Sequence, residues 1–466
     1  MMNQVDKSKL VLVRSSDVVI NDEPLESKEI GYYRDSWNRF KKNKASVVAF
    51  FIICIIMFFV IFGPYMKKYN LNRSNPIEAS RLGNLTPKIP VLEKLGIFDG
   101  TKTLVLGKKF LNYMYHEAGE IGEGIVLSGY PEELMQDPDH PDYADVVSLK
   151  VKVDYYKFVN YIRSYMPEGY FTTGKDAGNL GPVTRSLLED EYQKAVAKNY
   201  IIDILDIVRS KDPKDPSKEY VEYKVRLNEF MYALDQKPED TYFWFGTTDK
   251  GGDLFIEIWR GARISLIMAF LVTVINSVIG LLIGSFAGYY GGVFDLLFDR
   301  VVEIISALPF LVILTLLILR YGSALWVIVI AFTATGWIGS YGTGRMQFYR
   351  FKNREYVLAA KTLGASDFRI MMKHIFPNTL GLIVTGYALA IPSFVFTEST
   401  YSFLGIINYT DATSVGMLIK QGQEAMSNHP HLLLFPSLYI AILMIAFNLL
   451  GNGLRDAFNP ALRGVE

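Results

Sequence analysis

Six long apolar segments limit the fold of this chain more than any other feature of its sequence. They cover Ala45–Met66, Ile264–Tyr289, Val301–Leu319, Ala324–Tyr341, Leu380–Phe396 and Leu432–Leu450. Each approaches the ~20 residues that a helix needs to cross a bilayer. Inside lipid, every backbone polar group must be bonded within the protein, and a helix meets that need segment by segment. We therefore predict an all-α polytopic membrane protein with six transmembrane helices.

The distribution of basic residues predicts how these spans are oriented, because cytoplasmic loops carry an excess of Lys and Arg. Residues 1–44 end in a basic cluster, so this N-terminal tail is expected in the cytoplasm, with residues 45–66 as the first span. Within the tail, Tyr32–Phe40 is either an amphipathic helix on the inner membrane face or part of a disordered segment. Successive crossings place residues 67–245 outside and the basic loop 342–379 inside. They also place the C-terminus inside, which Arg455 and Arg463 support.

Residues 67–245 contain no spanning segment, and their pattern is globular. A mean hydropathy of +0.17 agrees with a membrane protein that carries a sizeable polar part. Apolar and polar residues alternate over Val147–Val153 and Val221–Leu227, which predicts two half-buried strands, while Leu187–Val208 has helical spacing. We predict an inserted extracellular α+β domain. Its tyrosines within Tyr155–Tyr165 suit either a recognition surface or a Tyr-rich core.

Nothing in the sequence indicates a catalytic or metal site. The single cysteine, Cys54, lies in an apolar run, so no intrachain disulfide can form. His116 and His140 lack metal-ligand spacing, and the acidic residues at 137–142 lack the glycine of a calcium loop. The net charge is zero, which predicts no nucleic-acid partner. We expect no catalytic residue, no metal and no cofactor.

The basic stretch Glu355–Pro377 lies between the fourth and fifth apolar segments. Four of its residues follow helical spacing: Ala359, Ala360, Leu363 and Gly364. A helix with Ala and Gly on one face lets a partner approach its backbone closely. Pro377 is expected to end this helix just before the next span. An ordinary basic loop between spans is the alternative interpretation.

This stretch resembles the EAA loop of permease subunits of ATP-binding-cassette importers. The family pattern is Glu-Ala-Ala, three residues, Gly, nine residues and Ile-x-Leu-Pro. Leu358 stands where the family has its first Glu, and His374 and Phe376 replace the Ile and Leu. The resemblance implies that a set of residues here couples the chain to an ATPase: Glu355, Ala359, Ala360, Gly364, Ala365, Asp367 and Pro377.

Two further stretches resemble the peptide permeases of this family. Trp244–Arg263 follows the family's Gly-Thr-Asp-x-x-Gly-Arg-Asp segment and its Gly-Ala-Arg, with Gly252 where Arg is usual. Residues 447–460 match the family's ending. The resemblance covers residues 30–66 and 241–466. It is greatest to the second permease subunit of oligopeptide importers, and it includes the polar N-terminal tail that this subunit has in Gram-positive bacteria. Segment 67–240 is a departure, since the family usually has a much shorter connection there.

Polar residues within the spans are candidates for lining a passage. Glu398 and Ser399 lie near the end of the fifth span, where lining the outer mouth and capping a re-entrant stretch are both open. Glu303 is a third candidate, although Arg300 could pair with it locally one turn earlier. Three glycines spaced by four residues predict a close contact between helices: Gly280, Gly284 and Gly288.

The resemblance implies a permease subunit that imports oligopeptides across a bacterial plasma membrane. Implied partners are a second permease, two cytoplasmic ATPase subunits and an extracellular peptide-binding lipoprotein. The sequence contains no Gly-x4-Gly-Lys-Ser/Thr loop, so we expect no ATPase site in this chain. Dipeptides, nickel chelates and other small solutes are alternative substrates. Rival classes are an ion-coupled secondary transporter, for which acid or His relays and internal repeats are not apparent, and a membrane-anchored receptor or enzyme.

Overall fold

The computed structural model describes residues 32–66, 69, 82–166, 183–211, 219–410 and 412–458. Parts of three sequence predictions lie outside these residues: most of the N-terminal tail (1–31), the end of the C-terminus (459–466) and four segments of the predicted insert (67–68, 70–81, 167–182 and 212–218).

Two helices lead into the membrane part. Helix α1 (Tyr32–Lys42) is followed by α2 (Lys44–Phe62), and the Asn43 side chain between them caps α2 by accepting a hydrogen bond from the Ser46 amide at 3.2 Å. Phe40 of α1 is buried, whereas Lys41 and Lys42 are exposed. A helix therefore forms over the aromatic-basic run, and its place on the inner membrane face stays a prediction.

After the first span come two small antiparallel sheets with short helices. The elements of the first are β1 (Thr101–Gly107), α3 (Lys108–Asn112), β2 (Val126–Ser128), α4 (Glu132–Gln136), β3 (Ser148–Asp154) and α5 (Tyr155–Ser164), with strand order β1-β3-β2. The predicted strand over Val147–Val153 is thus present as β3. Tyr155, Tyr156 and Tyr161 on α5 are buried, so these tyrosines form a core and not a recognition surface.

The second sheet has strand order β4-β6-β5. Its elements are β4 (Thr184–Leu188), α6 (Glu189–Ala197), β5 (Ile201–Lys211), β6 (Glu219–Leu227) and α7 (Glu229–Leu234). The strand predicted over Val221–Leu227 lies within β6. The helix predicted over Leu187–Val208 is wrong beyond Ala197, because Asn199 has a left-handed φ of 55° and the β-branched residues that follow pair with β6.

The remaining helices carry the other apolar segments. They are α8 (Leu254–Tyr290), α9 (Gly292–Ser306), α10 (Phe310–Tyr321), α11 (Leu325–Phe351), α12 (Glu355–Thr362), α13 (Asp367–Arg369), α14 (Phe376–Phe403), α15 (Val415–Glu424) and α16 (His431–Phe458). Within the described residues, four helices are long and apolar enough to cross a membrane singly, and the number rises to six if each of two bent pairs is one span.

Two of the six predicted spans are bent pairs of helical pieces. Helices α9 and α10 meet at 70° around Pro309, which lacks an amide hydrogen and is the N-cap of α10. The stretch Asp367–Gly381 meets Thr385–Phe403 at 61°, whereas Pro392 lies inside the second of these pieces.

Helices α8 and α11 pack closely against each other along three glycines of α8. A Cβ placed on Gly284 would lie 2.2 Å from the Tyr341 carbonyl oxygen, and one on Gly288 would lie 2.3 Å from that of Arg345. Gly280 meets the Trp337 carbonyl oxygen in the same way, at 2.3 Å. The glycine spacing of four therefore produces the predicted close approach of two backbones.

A dense seam joins the sheet-bearing segment to the spans. The Thr247 side chain accepts a hydrogen bond from the Leu85 amide at 2.7 Å, and the Thr247 amide donates to the Leu85 carbonyl at 3.1 Å. Phe435, near the start of α16, stacks on Phe245 at 4.1 Å between ring centroids and also contacts Phe98. The segment is thus fixed directly to the start of α8 and α16.

Candidate functional site

The stretch Glu355–Pro377 is not a single helix. Helix α12 ends at Thr362, and Gly364 adopts a left-handed φ of 82°, a conformation that favours glycine and terminates helices. Pro377 does not end a helix as predicted but lies in the first turn of α14, where its missing amide hydrogen costs nothing. Gly364 therefore forms a corner beyond α12 and not part of a bare helical face.

One side of this stretch is packed into the chain. Val357 and Ala360 of α12 are buried with Ile370 and Ile375 against Phe348 of α11. We call these residues, together with Met371, the coupling cluster. Since Ala360 faces this cluster, it is unavailable as the surface on which a partner would be seated in this conformation.

Two polar contacts reinforce the cluster at the ends of the long helices. The Tyr289 hydroxyl, at the end of α8, donates to Asp367 Oδ1 at 2.7 Å. Lys352, which follows α11, donates to the Gly288 carbonyl of α8 at 3.0 Å. The first bond ties the stretch to α8, and the second joins the ends of α8 and α11.

The other side of the stretch is an exposed apolar surface. Leu363 is 87% exposed, Phe368 66% and Leu358 48%. We call these three residues the apolar ridge. Large apolar side chains left this open are typical of a contact with another protein. In the sequence, Leu363 stood out only for its helical spacing and Leu358 only as the exchange for the family's Glu, whereas nothing marked Phe368.

The predicted coupling residues therefore divide between the two sides. Glu355, Ala359, Gly364 and Pro377 are exposed, Ala365 and Asp367 are half-buried, and Ala360 is buried. Tyr289 and Phe348 were missed because their contacts with the stretch come from distant parts of the chain. A role in coupling stays a prediction for all of them.

The passage candidates are placed in different surroundings. Glu303 on α9 is exposed and pairs with Arg300 at 2.5 Å, which is the local alternative considered from the sequence. Glu398 on α14 is fully buried and accepts hydrogen bonds from Ser265 and Ser402, and Ser399 beside it is also buried. Lining of a passage by these residues stays a prediction.

Among the described residues, no group of three or more His, Cys, Asp or Glu side chains could hold a metal ion.

Two protein families match parts of this chain. Residues 280–464 match the family described as the inner membrane component of binding-protein-dependent transport systems. Residues 31–87 match the N-terminal transmembrane domain of oligopeptide transport permease C.

Two related proteins establish the family to which this chain belongs. The chain is 41% identical to the dipeptide transport system permease protein DppC of Bacillus subtilis over 48% of this chain and 71% of that protein. It is 40% identical to the oligopeptide transport system permease protein OppC of the same organism, over 49% and 74%. The solved MetNI methionine ABC transporter is a distant neighbour with a TM-score of 0.36 and 17% identity, covering 44% of this chain and 96% of that one. The chain thus belongs to the oligopeptide and dipeptide transport permeases, which are membrane subunits of ATP-binding-cassette importers.

Proposed function

We propose that this chain forms one half of the passage through which an ATP-driven importer carries oligopeptides across the plasma membrane. The observation that carries the proposal is the two-sided stretch Glu355–Pro377, buried on the ends of α8 and α11 and apolar on its free side. Membership of the peptide permeases supplies the substrate class, and dipeptides are the alternative within it. The other half of the passage would be a second permease subunit, and the lipid bilayer covers the outer faces of the spans.

The free side would receive an ATPase subunit. In this proposal the apolar ridge docks in a groove on one of two cytoplasmic ATPases, because burying Leu358, Leu363 and Phe368 there removes apolar surface from water. No phosphate-binding loop occurs in the sequence, so nucleotide hydrolysis is assigned to those partners and not to this chain.

The buried side would transmit the movement. When the ATPases close on ATP, the docked stretch is displaced, and the coupling cluster carries the displacement to the ends of α8 and α11. The Tyr289–Asp367 hydrogen bond and the Lys352 contact make these helix ends follow the stretch as one body. Such rigid-body rearrangement would convert the passage between inward-open and outward-open states.

We further propose that residues 70–240 form an extracellular domain that docks the peptide-binding lipoprotein or shields the mouth of the passage. The N- and C-termini are then cytoplasmic. The seam at Thr247, Phe245 and Phe435 supports this proposal, because it fixes the domain beside the outer ends of α8 and α16. Replacing the segment by a short linker should abolish docking while ATPase binding is retained, and unchanged docking and uptake would contradict the assignment.

The coupling proposal is tested with the complete importer in proteoliposomes. Leu363→Asp places a charge on the ridge, and we expect ATPase subunits to dissociate and peptide uptake to fall by at least ~10-fold, since a charge buried without a partner costs well over 1 kcal/mol. The matched control is Val147→Asp, which is 84% exposed but lies before β3, outside both the stretch and the apolar segments. Retention of the ATPases and normal uptake by the Leu363→Asp complex would refute this docking surface.

A further inference from the structure

The buried carboxyl group of Glu398 is the centre of a polar cluster that the proposed mechanism leaves unused. Its Oε2 accepts from the Ser265 hydroxyl of α8 at 3.0 Å, and its Oε1 accepts from the Ser402 hydroxyl of its own helix at 2.9 Å. The buried hydroxyl of Tyr409 is near the same carboxyl group but makes no hydrogen bond in this conformation. The groups that influence this carboxyl group most strongly are hydroxyls, those of Ser265, Ser402, Ser414 and Tyr409.

The N-terminus of helix α15 completes this cluster. Ser414, the N-cap of α15, is fully buried, and its hydroxyl lies 3.4 Å from that of Ser402 and close to Glu398. The Ser414 hydroxyl also accepts from the Met417 amide at 3.4 Å. Since the N-terminus of a helix carries a partial positive charge, α15 offers a carboxylate the compensation that a cation would otherwise provide.

The backbone around the cluster leaves no free space. A Cβ on Gly416 would lie 2.6 Å from the Ser399 Cα, and one on Gly261 would lie 2.9 Å from the Ser414 carbonyl carbon. Helix α15 therefore enters between α8 and α14 through a contact that only glycine permits on either side. The polar cluster and the glycine contacts fix the same end of α15.

Helix α15 itself is too short to span. Its 10 residues extend for about 15 Å, half of the ~30 Å hydrocarbon thickness. It connects two candidate spans, α14 and α16, on the side where the sheet-bearing segment is attached. With the orientation proposed above, α15 lies at the outer mouth of the passage.

We propose that Glu398 is a positioning residue that holds α15 against α8 and α14 and so sets the outer end of the passage. This inference rests on the proposed function. Glu398 acts here through α15 and does not touch the peptide, which separates this role from lining the passage. The two oxygens of a carboxyl group accept from Ser265 and Ser402 at once, whereas removal of the side chain leaves several buried hydroxyls without a partner.

The test uses the complete importer with spin labels on two exposed residues, Gln423 of α15 and Lys250 before α8. In Glu398→Ala we expect the distribution of label distances to broaden, whether or not peptide and ATP are present. The maximal rate of peptide uptake should fall by about tenfold or more, with the KM for peptide changed by less than about twofold. Glu398→Gln keeps one acceptor and should recover a large part of both readouts.

Ser265→Ala is a milder variant that retains the Glu398 carboxyl group and should give a smaller change of the same kind. Ser393→Ala is the matched control, because that exposed hydroxyl on α14 bonds only its own helix, and it should behave as wild type. Unchanged label distances in both Glu398→Ala and Ser265→Ala would overturn the proposal. So would a changed preference among cationic, neutral and anionic peptides in Glu398→Gln, since that outcome assigns Glu398 to the passage wall. Failure of the wild-type complex to transport any peptide would refute the proposed function and leave the distance measurement interpretable.

Discussion

Replacing Gly284 by Ala tests whether the contact between α8 and α11 depends on the absence of a side chain. The added Cβ would lie 2.2 Å from the Tyr341 carbonyl oxygen, whereas ordinary contacts begin at 3.4 Å. The two backbones must therefore separate locally by roughly 1 Å, and a gap of that size forfeits a quarter to a half of each dispersion contact. Because Gly280 and Gly288 meet α11 equally closely, the whole interface loses contacts.

The magnitude is obtained from a matched pair of variants. Gly342→Ala makes the same chemical change on α11, but a Cβ at Gly342 meets no atom within 4 Å. Both variants gain the same helix propensity, up to about 1 kcal/mol, so the difference between them isolates the steric cost. We expect Gly284→Ala to be less stable than Gly342→Ala by about 1–3 kcal/mol, the usual cost of overpacking.

The assay is denaturant unfolding of each purified variant in the same mild detergent, followed by the fluorescence of the tryptophans, among them Trp337 on α11. Equal unfolding free energies for the two variants would refute the reasoning. A destabilisation of Gly342→Ala alone would show that the helices present other faces to each other.

Two further predictions follow from contacts at opposite ends of the spans. Tyr289→Phe removes the hydrogen bond to Asp367, so peptide-stimulated ATP hydrolysis should fall about 3- to 10-fold while the subunits stay assembled. The control is Tyr290→Phe at the exposed neighbouring residue, which should have no effect. Equal ATPase activities of the two variants would contradict the proposed link. Burial, with Lys102 nearby, lowers the pKa of His429 to about 3, so the folded chain keeps this residue neutral while the unfolded chain takes up a proton near pH 6.5. The contribution of His429 to the free energy of unfolding is complete above about pH 6.5 and is lost as the pH falls. The stability of the chain should therefore drop by up to about 2 kcal/mol between pH 7 and 5, which is followed as a fall in the thermal midpoint. In His429→Gln this dependence on pH should be flatter.

The spans were predictable because each is a long apolar run, and the strands because apolar residues alternate in them. The bend at 381–385 was not predictable, since Pro392 lies in the sequence nearby but inside a continuous helix, whereas Pro309 does mark the other bend. The helical spacing of Leu187–Val208 produces a helix only over Glu189–Ala197, because the residues from Ile201 onward pair with β6 as a strand.

The candidate site, like the fold, was predictable from the sequence only in part. Its position in the chain followed from the resemblance, and the helix-ending role of Gly364 is consistent with local chemistry. The inward direction of Ala360 depends on Phe348, and the partner of Asp367 is Tyr289, 78 residues earlier. Contacts between residues so far apart in the chain depend on how the helices pack, and the sequence around α12 does not predict them.

Helix α8 has one consequence for how the two faces of the membrane communicate. It runs unbroken through 37 residues, about 55 Å, from the seam at Thr247 to the hydrogen bond at Tyr289. Because the helix is unbroken along this length, its tilt would be a single variable shared by the proposed outer domain and the proposed ATPase contact. Thermodynamic linkage then requires reciprocity: if ATP binding inside changes the affinity for the peptide-binding lipoprotein outside by some factor, that lipoprotein must change the affinity for ATP by the same factor.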